Sequence, residues 1–413
     1  MTRTVAADHG SDAPPFTVTV AALSGIHALD LGRQLSARGL LAAYYTALPA
    51  SRTPGVDPRI VHRHLALLVP IHGLSKGWLP MSKHRLARLI DYEFDRWASR
   101  HVVRADVVHA VAGLGRFHRL AAQRRFGALA VCDSGTTHIR EHQALQDAEN
   151  AKWGRKPITW EEDRFASIEQ EYEESDLILT ASTFAYRSFV QRGVSPAKLA
   201  LVPYGVDADE YQPQPKQRDR FRILFVGTLC LRKGLPYLLD AVAGLDWPNA
   251  ELVLRGAVSD DVQPMLAAYR GRIPISVVPP QPRSMLSQLY SSASVLVLPS
   301  IEDGFGLVIG QALACGTPVI ASTHTGGPDV IEEGVNGLIV PAGDAEMLKE
   351  ALTRMYENPQ LLDEMGRQAR RGVERARGWG QYGDGVVATF RNALTTRGMR
   401  SEVSGVSAET PRR

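Results

Sequence analysis

Apolar residues in this chain gather in short unbroken runs. In the first half they stand at FTVTVAAL (16–23), LLAAYYTAL (40–48), Asp106–Val111, Leu129–Cys132, Leu177–Ala181 and Leu199–Val202. In the second half they stand at RILFVGT (222–228), LVLRG (252–256), ISVVP (275–279), VLVL (295–298) and Pro318–Ala321. Short apolar runs bounded by turn residues mark strands buried on both faces, as parallel sheets require. Stretches of helical period lie between them: His27–Arg38, Lys83–Arg100, Arg116–Arg125, Arg164–Glu174, Leu235–Ala243, Leu307–Ala314, Asp344–Glu357 and Leu361–Arg377. This alternation predicts βαβ units and an α/β fold. About six units flank the Pro- and Gln-rich stretch PYGVDADEYQPQPKQRD, so two doubly wound, Rossmann-like domains are expected.

Two stretches carry no clear period. Ser51–Pro80 holds His62, His64 and His72. With no cysteine or paired acidic motif beside them, these read as packed or surface imidazoles before they read as metal ligands. Gln146–Asp163 is polar with two tryptophans, which predicts a long loop of the kind that covers a site. The basic helical stretch Lys83–Arg100, with Trp78 before it and Trp97 within it, reads first as a solvated amphipathic face. Residues 1–15 and 397–413 are polar and predicted disordered.

Composition narrows the classes. A chain of 413 residues is long for one core. Its 44% hydrophobic and 22% charged residues are ordinary for a soluble α/β protein. A net charge of +3 is too small to argue for a nucleic-acid partner. The separated cysteines Cys132, Cys230 and Cys315 form no CxxC pair and point to a reducing, cytoplasmic setting. The first residues lack the apolar core of a signal peptide, and no run nears the ~18 apolar residues that span a bilayer.

Candidate chemistry concentrates between Val295 and Ser322. A strand leads into a turn where Glu302 and Asp303 stand against Gly304, Phe305 and Gly306, and a helix over Leu307–Ala314 follows, ended by Gly316. Strand, glycine turn and helix together aim the N–H groups of Phe305, Gly306 and Leu307, and the helix dipole, at an anion. Carboxylates beside an anion site suit a ligand with both phosphates and hydroxyls, such as a sugar nucleotide. Arg232 and Lys233, in the loop opening the helix Leu235–Ala243, are placed to pair with a pyrophosphate. In the first half, Gly25 follows a strand and either lets backbone approach a diphosphate or makes a simple turn. Asp133 and His138, in CDSGTTHIREH, lie where ligands of parallel sheets sit; capping a turn is the plainer use of Asp133. No Asp-x-Asp stands where it suggests a metal–diphosphate site, so no metal ligands are assigned.

Three segments resemble the signature of the retaining glycosyltransferases of family 4: PSIEDGFGLVIGQALACGTPVI (299–320), VGTLCLRKG (226–234) and VPYGVD (202–207). The resemblance implies the GT-B architecture, two Rossmann-like domains facing across a cleft. It implies transfer of a sugar from a nucleoside-diphosphate sugar, with retention, to an acceptor that could be a glycan, a lipid-linked molecule or a small molecule. The donor is a co-substrate, and no further cofactor is implied. Asp303 would hold the sugar hydroxyls, though capping the next helix is its plainer use. Gln311 would meet the ribose hydroxyls, on a helical face shared with Val308 and Ala312. Many members place a histidine facing the sugar where this chain has Asp133, with His138 five residues on. The chain departs from the pattern at Asp303 and Gln311, usually glutamates, and at Thr228, usually arginine. The expected division is an N-terminal segment 1–15, an acceptor-side domain 16–204, a linker 205–220, a donor domain 221–377, a helix 378–396 crossing back, and a tail 397–413. Related N-terminal domains often touch the acceptor or a membrane surface, which leaves a peripheral membrane contact open at the inner face of the membrane. Two other readings stay open: a nucleotide-sugar epimerase or hydrolase on the same fold, and a non-catalytic partner protein.

Overall fold

The computed structural model describes residues 15–23, 27–76, 83–157, 162–215, 219–245, 247–269, 274–376 and 378–406. Gly25 and Trp78 lie outside the described residues. Among the described residues, thirteen strands form two sheets. The first sheet holds β1 (Val18–Ala21), β2 (Leu41–Thr46), β3 (Val61–Arg63), β4 (Val107–Val111), β5 (Leu129–Ser134), β6 (Leu177–Thr180) and β7 (Leu199–Leu201), in the order β3-β2-β1-β4-β5-β6-β7. The second holds β8 (Phe221–Val226), β9 (Ala250–Arg255), β10 (Ile275–Val278), β11 (Val295–Leu298), β12 (Val319–Ser322) and β13 (Gly337–Val340), in the order β10-β9-β8-β11-β12-β13. The pairings β1–β2, β1–β4, β8–β9, β8–β11 and β11–β12 are parallel. In each sheet the order reverses beside its first strand, the doubly wound switch where α/β folds bind ligands.

Backbone contacts divide the chain into two compact units. One comprises the described residues up to Ala110, Leu114–Val131 and the residues from Ala393 onward; the other comprises Val111–Gly113 and Cys132–Asn392. In the first unit, Ala21, Ala43, Tyr45, Phe94 and Ala98 form a buried core. The ring of His62 stacks on Tyr45 at 4.8 Å, and that of His64 lies 5.0 Å from Trp97. Both histidines are thus spent on aromatic packing. In the second unit, Ile223 and Phe225 belong to one buried core, while Leu224 and Val226 belong to another. Alternate residues of β8 therefore feed opposite faces of the sheet, which is why this strand is apolar without a break from Ile223 to Val226.

Three expectations are corrected. Ser51–Pro80 contains β3 and a helix, Leu68–Lys76. Gln146–Asp163 is only in part loop, because the helix Ile139–Lys152 takes up its first seven residues. Its polar residues are taken up by tertiary partners: Glu149 accepts from Tyr237 Oη at 2.8 Å and from Trp153 Nε1 at 2.7 Å, and Lys152 donates to Tyr237 Oη at 2.9 Å. The last helix spans Trp379–Val406, so it continues into the segment expected to be disordered.

Candidate active site

The chemistry gathers in the second unit, at the carboxyl ends of β8 and β11. After β8 the chain turns through Gly227 and Thr228 into a short 3-10 turn, Leu231–Lys233, then into the helix Leu235–Ala243. After β11 it passes Glu302 and Asp303 and enters the helix Leu307–Ala314 through Gly306, whose φ of 82° an L side chain rarely adopts. Gly304 is needed for a different reason. A Cβ there would lie 2.1 Å from the carbonyl oxygen of Gly135, so only glycine lets the loop after β11 meet the loop after β5.

The two turns interlock by charge. Lys233 Nζ pairs with the Asp303 carboxylate. Arg232 Nη1 donates to the Glu302 carbonyl at 2.8 Å and to its carboxylate at 3.1 Å. Glu302 is fully buried, and its carboxylate also accepts from the N–H and hydroxyl of Thr137, at 3.3 Å and 3.0 Å. His142 Nδ1 stands 2.9 Å from the same carboxylate. Burial alone would raise the pKa of Glu302. The neighbouring His142, Arg232 and Lys233 more than offset that and push it down to about 2. Glu302 is therefore an anion that holds Arg232 in place, rather than a bystander of the turn. Beyond its bonds to Glu302, the Arg232 guanidinium has no hydrogen-bond partner among the described residues.

The helix Leu307–Ala314 starts without a side-chain cap. No group among the described residues accepts from the N–H of Phe305, Gly306 or Leu307. Open donors and a dipole end, beside the side chains of Lys233 and Arg232, are groups of the kind that meet a diphosphate. Gln311 lies one turn further along the helix, and its Oε1 accepts from Tyr290 Oη at 2.7 Å. Tyr290 is buried, and desolvation raises its pKa well above the ordinary value, so its hydroxyl stays protonated and donates.

The strand end at β5 is differently built. Asp133 is buried, with Tyr204 Oη 3.4 Å from its carboxylate. His138 is the N-cap of the helix Ile139–Lys152: its Nδ1 accepts from the Arg140 N–H at 3.2 Å. Its ring packs against Tyr172 and Phe189, both at 5.1 Å. Burial first, then the charges of Arg192 and Arg140, bring its pKa down to about 4. The structure thus gathers Asp303, Lys233, Arg232, Phe305, Gly306 and Leu307 at one point, with Gln311 next to them. It turns His138 inward as a neutral cap.

Two family descriptions cover this architecture almost end to end. "Glycosyl transferases group 1" matches residues 207–372, and "Glycosyltransferase Family 4" matches residues 24–210. The chain belongs to glycosyltransferase family 4. It is a transferase that takes its sugar from a nucleotide sugar. A D-inositol 3-phosphate glycosyltransferase of Kribbella flavida is 27% identical over 399 residues, covering 90% of this chain and 91% of the relative. The MMP alpha-(1->4)-mannosyltransferase of Mycolicibacterium hassiacum is 27% identical over 296 residues, covering 70% and 71%. Sucrose-phosphate synthase of Thermosynechococcus elongatus shares the transferase's fold with a TM-score of 0.68 at 21% identity, covering 92% of this chain and 99% of that one. Anabaena HepE, solved with UDP-glucose, gives 0.64 at 15% identity, covering 91% and 100%. The GT-B fold follows from these likenesses.

His142 and Thr137 escaped sequence reading, since neither sits in a recognisable motif. For Glu302 a signal was there: an acidic doublet, Glu302-Asp303, answers a basic doublet, Arg232-Lys233, and each acid takes one base.

Proposed function

We propose that this transferase moves a sugar from a nucleoside-diphosphate sugar with retention and without a metal ion. The observation that carries the reading is the pairing of Lys233 with Asp303 at the uncapped start of the helix Leu307–Ala314. In the free enzyme these two neutralise each other. With donor bound, Lys233 turns to the diphosphate and Asp303 is released to the sugar hydroxyls. Arg232, fixed by Glu302, adds a second positive charge where the leaving group's charge develops, and such placed charge is commonly the largest catalytic contribution. The N–H groups of Phe305, Gly306 and Leu307 complete the cradle. Gln311, held by Tyr290, faces the ribose. Asp133 lines the sugar's far side. No protein nucleophile is required, because the departing phosphate takes the acceptor's proton as the new bond forms on the same face.

The test is calorimetric titration with UDP-, GDP-, ADP- and dTDP-sugars, followed by transfer assays with and without EDTA. D-inositol 3-phosphate is the first acceptor to try, because relatives spanning the whole chain are named for it. One donor should bind and turn over at an unchanged rate in EDTA. Transfer abolished by EDTA and restored by Mg²⁺ would show that a metal, and not Arg232 and Lys233, neutralises the leaving group. Hydrolysis of donor at the same rate without acceptor would favour a hydrolase instead.

A further inference from the structure

At the opposite ends of the strands from the donor loops, the second unit contains a cavity of about 700 Å³. That is within the range of small-molecule sites. It is bordered by the residues just before β8, β9, β11 and β12, whereas the donor cradle lies at the carboxyl ends of β8 and β11. Against two carboxylates, Asp219 and Asp363, four arginines line it: Arg220, and Arg367, Arg370 and Arg371 from the helix Pro359–Arg375. Two of these are committed. Arg367 pairs with Glu364, and Arg370 pairs with Glu374 while its Nη1 donates to the carbonyls of Ala208, Tyr211 and Ala314. The side chains of Arg220 and Arg371 are exposed and make no hydrogen bond or ion pair among the described residues. Apolar wall is supplied by Phe221, Tyr356 and Leu362, with Tyr356 stacked on Trp247 at 4.0 Å.

We propose that this cavity is a second ligand site, which takes a small organic phosphate distinct from the donor. Arg220 and Arg371 supply forked, always-charged donors that match a phosphoryl group. Phe221, Tyr356 and Leu362 supply the surface for a ring attached to it. The site also touches the donor machinery from behind. Cys315 and Gly316, which close the helix Leu307–Ala314, are part of its lining, and Arg370 holds that helix's last carbonyl. The same helix begins at the donor cradle and carries Gln311. Its eight residues are a rigid link of about 12 Å between the two sites.

The experiment uses phenyl phosphate as the probe, with phenol and inorganic phosphate as its separated halves. Calorimetry is done on the full chain, alone and saturated with the nucleoside diphosphate chosen by the donor titration. Saturable binding of phenyl phosphate is expected in both states, tighter than either half. Arg220→Ala/Arg371→Ala should weaken it at least about tenfold, as loss of two charge-assisted contacts implies. Lys233→Ala, which damages only the donor cradle, should leave it unchanged. Both arginine side chains are exposed, so the double variant should keep the wild-type Tm. Three results would each overturn the proposal: no saturable binding to wild type, binding suppressed by the nucleoside diphosphate, or binding that the double variant retains. Failure of the donor reading would show elsewhere, in the donor titration and in Lys233→Ala.

Discussion

The loops after β11 and β5 start from similar ingredients and end in opposite electrostatic states. Each follows a buried strand of a parallel sheet with a carboxylate, a glycine and a helix start. After β11, the carboxylates of Glu302 and Asp303 face Arg232 and Lys233, and the helix start is left uncapped. After β5, Asp133 meets a tyrosine hydroxyl, and the helix start is closed by the neutral ring of His138. The first loop keeps charge and open donors for a ligand. In the second, Asp133 and His138 have partners within the protein, and Thr137 serves Glu302. What distinguishes a binding loop here is therefore not the strand–glycine–helix frame but whether cations from a neighbouring turn answer its acids.

The strongest way to break this contrast is to remove the buried anion. Glu302→Ala leaves Arg232 and His142 beside an empty, desolvated position and should destabilise the fold by about 3–5 kcal/mol, as breaking a buried pair from one side does. Denaturant unfolding checks it. A loss under about 1 kcal/mol, the worth of a surface pair, would mean that Glu302 holds nothing in place.

Lys233→Ala tests the ligand-facing half. It should weaken nucleoside-diphosphate binding by ~1.5–3 kcal/mol, the worth of a charge-assisted phosphate contact in a partly closed site. Titration with the preferred nucleoside diphosphate reads this directly, and unchanged affinity would remove Lys233 from the cradle.

The two loops should also separate on acidification. Glu302 has a folded pKa of about 2, below its ordinary 4.5. Its contribution is fully present above pH 4.5 and is lost as pH falls from there towards 2, because the unfolded chain takes up the proton first. His138 has a folded pKa of about 4, below its ordinary 6.5. It is neutral in the fold, so the unfolded chain again gains the proton first, and stability falls between pH 6.5 and 4. Unfolding free energy measured against pH should thus fall through two windows. His138→Gln should make the upper one shallower, leaving the share of fully buried His118, whose pKa desolvation also brings down to about 4, and Glu302→Gln should flatten the lower. An upper window of unchanged depth in His138→Gln would show that His138 contributes nothing to it.

Strand–helix alternation was legible because strands buried on both faces cannot hide: β8, β11 and β12 are apolar at every position that faces a core. The elements that escaped are those whose stability lies outside their own sequence. β3 is a three-residue edge strand containing His62, and the helix Ile139–Lys152 buries only Ile139, Glu149 and Asn150. Its polar side chains become helical because Tyr237 and Trp153 receive them, and no periodicity records such partners. At the site, Asp303, Lys233 and Arg232 could be read from spacing beside glycine turns. His142 could not, because its meaning comes from an anion 160 residues away.

The smallest expected effect concerns Gln311, where a charged position of the family is neutral. Tyr290 Oη donates to its Oε1, which fixes the amide's orientation and leaves its NH₂ without a hydrogen-bond partner among the described residues. Wild type therefore offers the ribose a donor, plus whatever acceptor capacity Oε1 retains. In Gln311→Glu the carboxylate can accept from Tyr290 and from a ribose hydroxyl together. Donor affinity should stay level or rise by at most ~1–2 kcal/mol, because repulsion from the diphosphate offsets part of the gain. Gln311→Leu removes the proposed ribose contact but also strands the buried Tyr290 hydroxyl, a loss of about 1–3 kcal/mol in stability unrelated to ligand. Tyr290→Phe separates the two, since it deletes the internal hydrogen bond while keeping the amide. If Gln311 reads the ribose, Gln311→Leu in the Tyr290→Phe background should still weaken donor binding. The deficit should vanish with a 2′-deoxyribose donor analogue. Equal affinities of Tyr290→Phe and the double variant for the normal donor would reduce Gln311 to a packing partner of Tyr290. The contrast between the two strand ends would then rest on Glu302 and Asp303 alone.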